Sequence, residues 1–590
     1  MNTNEKLNAL RQEMAKRNID AYLVPTADYH ESEYVGPHFK ARAYLSNFTG
    51  SQGTLVVTMK ESALWVDGRY FIQAQQQIND SEIILMKMGT PNTPTVMEYL
   101  QKVLQEGDTL GFDGKVVNTA FMQQLHPYGF QYAMEEDLVD IIWNDREPLP
   151  SSQGWIVPLE VCGKSSKDKI EAVRKECQKY GCDAHLITSL DDVAYLLNLR
   201  GNDIPHFPVL LAYVLMLQDK CICYVNEASL NPSCISYLQE NGVMIAPYMQ
   251  IYEDLKTISY DKMFYDPTVV NYALGSMIPA SKSYQAFNPT QLMKSIKNEM
   301  ELNSTRQAHL LDGAAMVKFL YWLKNHPSKQ SLDEISVSDY LASKRYEMGA
   351  YDLSFDTIAA YLDHGAMMHY SATKESAYHL DDKGFLLVDS GGQYPNGTTD
   401  ITRTIVLGPI SDEMKLHFTT ALRSHIRLSQ AIFLEGCSGM NLDILARGPL
   451  WDLGLDYRCG TGHGVGHLLN VHEGPNGFRW KIVPERKDSA TLQVGMLQSN
   501  EPGVYLEGQY GIRHENEMIV MEKEENEYGR FLCFETITFV PFDKEGIDAS
   551  LLTKAELAWL NDYHQQVYVK LCPYLTTKEQ AWLKEVTKPM

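Results

Sequence analysis

Asp389 closes an apolar run, Phe385-Leu-Leu-Val-Asp389, and Asp400 opens a polar-alternating stretch, Asp400-Ile-Thr-Arg-Thr404. Turn residues lie between them, so 385–407 predicts a β-hairpin. A strict two-residue turn at Asn396-Gly397 would pair Asp389 with Thr404. The aspartates would then share a face but stand about four residues apart along the ladder, too far for one ion at ~3.3 Å per residue. A longer loop, or a bulge for which Gly391-Gly392 is a place, would bring them together. Two carboxylates leaving an apolar strand pair need a compensating charge, and a metal supplies it.

Three further segments carry groups of the same kind. In Gly460-Thr-Gly-His-Gly-Val-Gly466 the glycines let backbone approach His463, and neutral imidazole is a common metal ligand. Gly460 and Gly462 begin a dinucleotide loop, but Val465 breaks the pattern. Glu501 stands just before the Pro502-Gly503 turn. The stretch 511–520 alternates like a strand, with Arg513, Glu515 and Glu517 on one face. Taken singly, each acid reads as a surface charge or a salt-bridge partner, and His463 as a satisfied core histidine. Taken together, Asp389, Asp400, His463, Glu501 and Glu515 form an oxygen-rich set with one nitrogen. That set suits two divalent ions of the Mn²⁺ type, with Zn²⁺, Co²⁺ or Fe²⁺ as alternatives. Such a pair can activate water and polarise a carbonyl.

The elements that must hold these groups begin with a duplication. Lys6-Leu-Asn-Ala-Leu-Arg11, Ile19-Asp-Ala-Tyr-Leu-Val24 and Tyr44-Leu-Ser-Asn-Phe-Thr-Gly50 recur as Lys169-Ile-Glu-Ala-Val-Arg174, Cys182-Asp-Ala-His-Leu-Ile187 and Tyr195-Leu-Leu-Asn-Leu-Arg-Gly201. Each copy predicts an amphipathic helix, a strand, a loop or short helix, and a second strand, with an insertion in the first copy. Boundaries fall in the Pro/Ser/Gly segment 147–154 and near 288–297. A long helix is predicted from 298 to 323, strands after Leu380, helices around 412–432 and 442–453, and a helical tail over 553–588. The expected class is α/β (α+β), with domains at 1–152, 153–297 and 298–590 and the chemistry in the third.

Composition narrows the function. The 590 residues are 44% hydrophobic and 22% charged, a globular balance, and the net charge of −23 disfavours phosphate backbones and anionic lipid. No partner of nucleic acid or membrane is therefore expected. No apolar h-region follows Met1, and the longest apolar run, near 208–217, is about half of the ~18 residues of a span. The ten cysteines are scattered without a CxxC pair, as in a reduced, cytoplasmic protein.

The motifs together resemble aminopeptidase P, the Xaa-Pro aminopeptidase family of pita-bread metallopeptidases, in its longer three-domain cytosolic form. Arg42-Ala-Tyr-Leu-Ser-Asn-Phe-Thr-Gly50, Trp65-Val-Asp-Gly-Arg-Tyr-Phe71 and Met86-Lys-Met-Gly-Thr-Pro-Asn-Thr-Pro94 resemble its first domain. Asp389-Ser-Gly391, Thr399-Asp-Ile-Thr-Arg403, Gly462-His-Gly-Val-Gly466, Val471-His-Glu-Gly-Pro475, Asn500-Glu-Pro-Gly503 and Gly511-Ile-Arg-His-Glu515 resemble its catalytic domain. The resemblance implies two tandem creatinase-N-terminal-like domains before a pita-bread domain. It implies that Asp389 chelates one ion, Asp400 and Glu515 bridge both, and His463 and Glu501 complete the second. It makes His369 and His472 the histidines that bind substrate and move protons, with Glu501 the candidate for taking the proton of water. Arg513 either supports a neighbouring carboxylate or faces the peptide; the supporting role is favoured. Substrates would be peptides with proline second, and a homodimer would form through the catalytic domains with Trp451 at the interface.

Two departures stand out. Cys459 occupies a position where many relatives carry histidine, and the stretch 478–497 is long enough to expect a surface loop. Prolidase is the nearest alternative, because it shares the ligands but cleaves dipeptides. An inactive pita-bread interaction module, a metal-free creatinase-like enzyme and methionine aminopeptidase fit less well, given the complete ligand set and the long N-terminal half. Asp389-Ser-Gly-Gly392 has Val388 where a trypsin-like signature has glycine, which removes the serine-peptidase reading.

Overall fold

The computed structural model describes residues 1–483 and 487–590. The chain divides into two compact units, one of residues 1–159 and 164–290, the other of residues 160–163 and 291–590.

The first unit contains the duplication. One six-stranded sheet is ordered Ile83–Lys87, Ser62–Val66, Thr54–Thr58, Ala21–Pro25, Thr109–Gly111, Gln131–Ala133. The second is ordered Val243–Pro247, Cys221–Val225, Ala212–Met216, Ala184–Ile187, Met263–Tyr265, Ser283–Gln285. Parallel and antiparallel pairings fall at the same places in both. Helices Thr3–Lys16 and Ser166–Gln178 precede the central strands at matching positions. Tyr44 and Tyr195 lie in the short helices Ala41–Ser46 and Leu190–Leu197 that follow the first strand of each copy. The repeated asparagines end those helices in the left-handed conformation, at φ 61° for Asn47 and 50° for Asn198, which asparagine tolerates and most residues do not. The second sheet strand follows as Thr54–Thr58 in the first copy and Ala212–Met216 in the second, with a short strand Leu199–Arg200 before the latter.

The second unit surrounds antiparallel strands with helices. Helix Glu299–Lys324 starts at Asn298, whose side chain accepts from the Met300 and Glu301 amides while Glu301 reaches back. Phe319 and Leu320 of this helix share a core with Leu386 and Val388 of the strand Phe385–Ser390. Strand alternation therefore turns Asp389 to the opposite face. Helices Asp412–Ser429, Gly439–Trp451, Lys554–Leu571 and Thr577–Val586 complete the covering layers. The six-stranded sheet of this unit is ordered Ile432–Leu434, Gly529–Thr536, Asn516–Asn526, Leu497–Asn500, Gly462–Gly464, Glu473–Phe478.

Two expectations need correction. The stretch 511–520 is not one strand. Tyr510–Arg513 pairs with Gly503–Leu506, and Asn516–Asn526 pairs with Leu497–Asn500, in different sheets. Pro502 has no N–H to donate, so the ladder breaks there while keeping its register on both sides. The stretch 478–497 is also not simply a surface loop. Residues 484–486 lie outside the described residues, but Leu492 and Met496 are fully buried among Phe433, Phe478 and Met518.

Candidate active site and metal centre

Two hairpins pass from one sheet to another at the same place, and the acidic residues stand at the crossings. In the first, Asp389 pairs with Thr402 and Ser390 with Ile401, then the ladder resumes at Gln393–Thr398 in a separate sheet. The turn residues are thus Pro395-Asn396, and the register is tighter than an Asn396-Gly397 turn would set. Asp389 and Asp400 come within one cross-strand diagonal, a reach of about 7–8 Å. Gly391 is required at this crossing because a Cβ there would overlap the Thr399 carbonyl and the Ser354 hydroxyl. In the second hairpin the ladder stops at Asn500–Asn516 and resumes at Gly503–Arg513. Glu501 and Glu515 face each other across that gap.

His463 enters on the short strand Gly462–Gly464, with a bulge between His463 and Gly464. A Cβ on Gly462 would overlap the Ser499 carbonyl, and one on Gly464 the Glu473 carbonyl. Arg447 anchors the approach to this strand through Asp443 at 2.7 Å, Asp456 at 2.7 Å and the carbonyls of Tyr457 and Cys459. The structure places His463 Nε2 3.3 Å from Glu501 Oε1 and 3.6 Å from Asp400 Oδ2. Asp400, His463 and Glu515 offer ligand atoms that all lie within 4.8 Å of one another.

The electrostatics of this cluster call for cations. Burial pushes the Asp400 carboxyl well above the usual carboxylate range, and the charges of Glu515, Asp389 and Glu501 push it further. Glu515 is raised well above its ordinary value by burial, Glu501 and Asp389, against the pull of the Thr402 hydroxyl and Arg513. Glu501 is raised by burial and Asp389, opposed by Arg513 and His472. Asp389 Oδ1 and Asp400 Oδ1 are buried with no hydrogen-bond donor. Protein groups alone leave these oxygens unsatisfied, at a cost of several kcal/mol per uncompensated ion. Hard carboxylate oxygens with one imidazole fit divalent cations.

The remaining predicted residues are placed as follows. Arg513 is buried, and its donors are taken up by Asp389 Oδ2 at 2.5 Å, the Tyr505 hydroxyl at 2.7 Å, Thr402 at 3.1 Å and the Met368 carbonyl at 3.4 Å. His472 packs edge-on against His463 with ring centroids 4.3 Å apart. His369 is half-buried in the loop after the short helix Leu362–Ala366. Glu517, expected to share a face with Glu515, instead pairs with His309 at 2.9 Å behind Asp400. Burial, then the negative charge of Glu501, pushes the Cys459 thiol up to about 11, so it stands as a neutral thiol beside the cluster. Trp451 lies outside the cluster, 42% exposed at the end of its helix, with Nε1 donating to Asp456.

Several contributors were not singled out from sequence. Thr402 donates to Glu515 Oε2 at 2.6 Å, and Ser499 donates to Glu501 and accepts from the His463 amide. Arg403 donates to the Glu515 carbonyl at 2.6 Å. Lys297 forms a fully buried ion pair with Glu473, next to His472. The Thr402 and Arg403 positions sit inside a motif already noted; Lys297 is too distant in sequence for any local signal.

Gly365 and Gly511 bring the backbone of the His369 loop against the strand that carries Arg513, and a Cβ on Gly511 would overlap the Gly365 carbonyl. Gly511→Ala is expected to lower Tm and to reduce kcat/KM at least about tenfold through misplacement of these groups. Gly448→Ala, on a helix with open space around it, is expected to do neither. Thermal melts and steady-state kinetics of both variants check this.

Comparison with known proteins agrees with this architecture. A family model described as metallopeptidase family M24 matches residues 303–522, and one for the C-terminal region of that peptidase matches 530–590. Two models described as creatinase/prolidase N-terminal domain match 6–135 and 145–301. A protein of Neurospora crassa named probable Xaa-Pro aminopeptidase P is 39% identical, covering 100% of this chain and 89% of its own length. Aminopeptidase P2 of Arabidopsis thaliana is 37% identical, covering 99% of this chain and 88% of its own. The crystal structure of an X-prolyl aminopeptidase from Caenorhabditis elegans, described as a cytosolic enzyme with a di-nuclear active site, superimposes with a TM-score of 0.94 at 34% identity over 100% of both chains. With its creatinase-like N-terminal half and its M24 pita-bread unit, the chain belongs to the Xaa-Pro aminopeptidase P family of metallopeptidases.

Proposed function

We propose that the protein is an aminopeptidase with two divalent ions that hydrolyses the first peptide bond of peptides whose second residue is proline. The observation that carries this reading is the meeting of two sheet-crossing hairpins, which gathers Asp400, Glu501 and Glu515 around His463, with Asp389 one diagonal away. The di-nuclear site described for the Caenorhabditis elegans relative supports it. When bound, such a pair supplies Lewis acidity and water acidic enough to react at neutral pH.

The chain's own groups do the rest. Asp389, Asp400, His463, Glu501 and Glu515 would hold the ions, with Mn²⁺ the first candidate. Glu501, reachable from the half-buried side of the cluster, takes the proton of the attacking water. His369 and His472 bind substrate, donating to the developing oxyanion and to the departing proline nitrogen, which has no N–H of its own. Arg513 orients Asp389 through the contact with its Oδ2, and its engaged donors favour that supporting role over a contact with peptide.

We assign three modules, 1–152, 153–297 and 298–590. A second copy of the chain is the proposed partner at Trp451, where Met440, Ile444 and Leu453 are also exposed. A cytoplasmic setting is supported by ten free cysteines and by the description of the nematode relative.

The test is hydrolysis of Xaa-Pro-Yaa tripeptides beside Xaa-Pro dipeptides, with Mn²⁺ and with chelator. Release of the first residue from tripeptides, lost on chelation, is expected. Cleavage of dipeptides alone would make the enzyme a prolidase, and no cleavage by a metal-loaded protein would favour an interaction module.

A further inference from the structure

The loop that carries His369 is held from both sides, and one side ends on a residue with no place in the metal cluster. Toward the cluster, the Met368 carbonyl accepts from Arg513. Away from it, Tyr370 donates its hydroxyl to Glu334 Oε2 at 2.9 Å. Glu334 is fully buried at the first position of helix Glu334–Glu347. Its two oxygens also accept from the amides of Tyr361 at 2.7 Å and Tyr378 at 2.9 Å, and from His364 Nδ1 at 2.9 Å. An ionised carboxylate only accepts, so Nδ1 of His364 carries the proton. The His364 ring is stacked between Tyr370 and Tyr378, with centroids 4.3 and 3.7 Å away.

Glu334 therefore ties the start, the middle and the end of the segment 361–378 to one point. The segment also holds strain. Leu362 has φ 53°, a conformation that a branched side chain adopts only when its surroundings impose it. A buried carboxylate with donors on both oxygens is a rigid anchor, and truncating it leaves several of those donors unpaired.

We propose that Glu334 is a positioning residue for the peptidase reaction: by gathering the ends of the 361–378 loop it fixes His369 at the reacting centre. The inference rests on the reading that His369 touches substrate. Glu334 contributes no ligand and no proton, and its effect passes through His369.

That route gives a test by double-mutant cycle, in the Mn²⁺-loaded full chain with an Xaa-Pro-Yaa tripeptide. His369→Ala is expected to lower kcat/KM about a hundredfold and Glu334→Gln about thirtyfold, the scale of a misplaced catalytic group. In the His369→Ala background, Glu334→Gln is expected to change kcat/KM by less than about twofold, because both act on one interaction. Mn²⁺ binding measured by calorimetry should match wild type in the Glu334→Gln protein, which a general collapse would not allow. Tyr370→Phe removes a single hydrogen bond and repeats the cycle with a milder lesion, should Glu334→Gln fail to fold. Losses that multiply in the double variant, or wild-type kinetics for both Glu334→Gln and Tyr370→Phe, would overturn the inference while leaving the peptidase reading intact. Wild-type kinetics for His369→Ala would overturn the role of His369 and this inference with it.

Discussion

Asp400→Asn is expected to reduce kcat/KM on an Xaa-Pro tripeptide by at least about a thousandfold, a loss of about 4 kcal/mol in transition-state stabilisation. Asparagine keeps the shape and removes the anion that the two ions would share. The same change is expected to leave the metal-free fold as stable as wild type or raise its Tm by about 2–4 °C. The reason is that the metal-free cluster already resists ionisation of Asp400: burial and the charges of Glu515, Asp389 and Glu501 all favour its neutral form. A neutral amide removes that repulsion and can donate to a neighbouring carboxylate. Kinetics, Mn²⁺ calorimetry and melting curves with chelator separate the two effects. Substantial turnover in this variant would remove Asp400 from the ligand set.

Metal removal is expected to abolish turnover and to destabilise the protein in a pH-dependent way. Asp400, Glu501 and Glu515 have raised pKa values in the metal-free fold. A carboxyl raised on folding contributes stability that is fully present below its unfolded pKa and is lost as pH rises through the folded one. The metal-free protein should therefore lose Tm as pH rises above the ordinary carboxylate range of about 4. Bound cations need these groups deprotonated, so metal affinity rises with pH. At a hundredfold excess over Kd each site adds about 2.7 kcal/mol. The gap in Tm between Mn²⁺-loaded and chelated protein should widen from about pH 5 to about pH 8. A gap that is constant or narrows would contradict the placement of these carboxylates in one metal-holding cluster.

The chemistry of the centre was more legible in the sequence than its geometry. Asp389, Asp400, His463, Glu501 and Glu515 stand in short motifs because each motif is a strand end or turn with local constraints, such as Gly391 and Gly462. The register of the first hairpin was not legible. Pro395-Asn396 and Asn396-Gly397 are both good turns, and their registers differ by two residues, which leaves every side chain on the same face and gives the hydrophobic pattern no way to choose. Likewise the alternation in 511–520 concealed a change of sheet, because periodicity reports which side chains share a face and not which partner strand they meet. The repeat was visible, but the bounds of its short helices, which end at the left-handed Asn47 and Asn198, were not, because such helices are too short to show a helical period. Lys297, Glu334 and His309 act on groups more than two dozen residues away, and nothing local marks them.

The most direct test of the account is anomalous diffraction from crystals grown or soaked with Mn²⁺. Two peaks are predicted between the hairpins, enclosed by Asp389, Asp400, His463, Glu501 and Glu515, and both should weaken or vanish in Asp400→Asn crystals. A single peak at other residues, or none at saturating Mn²⁺, would contradict it.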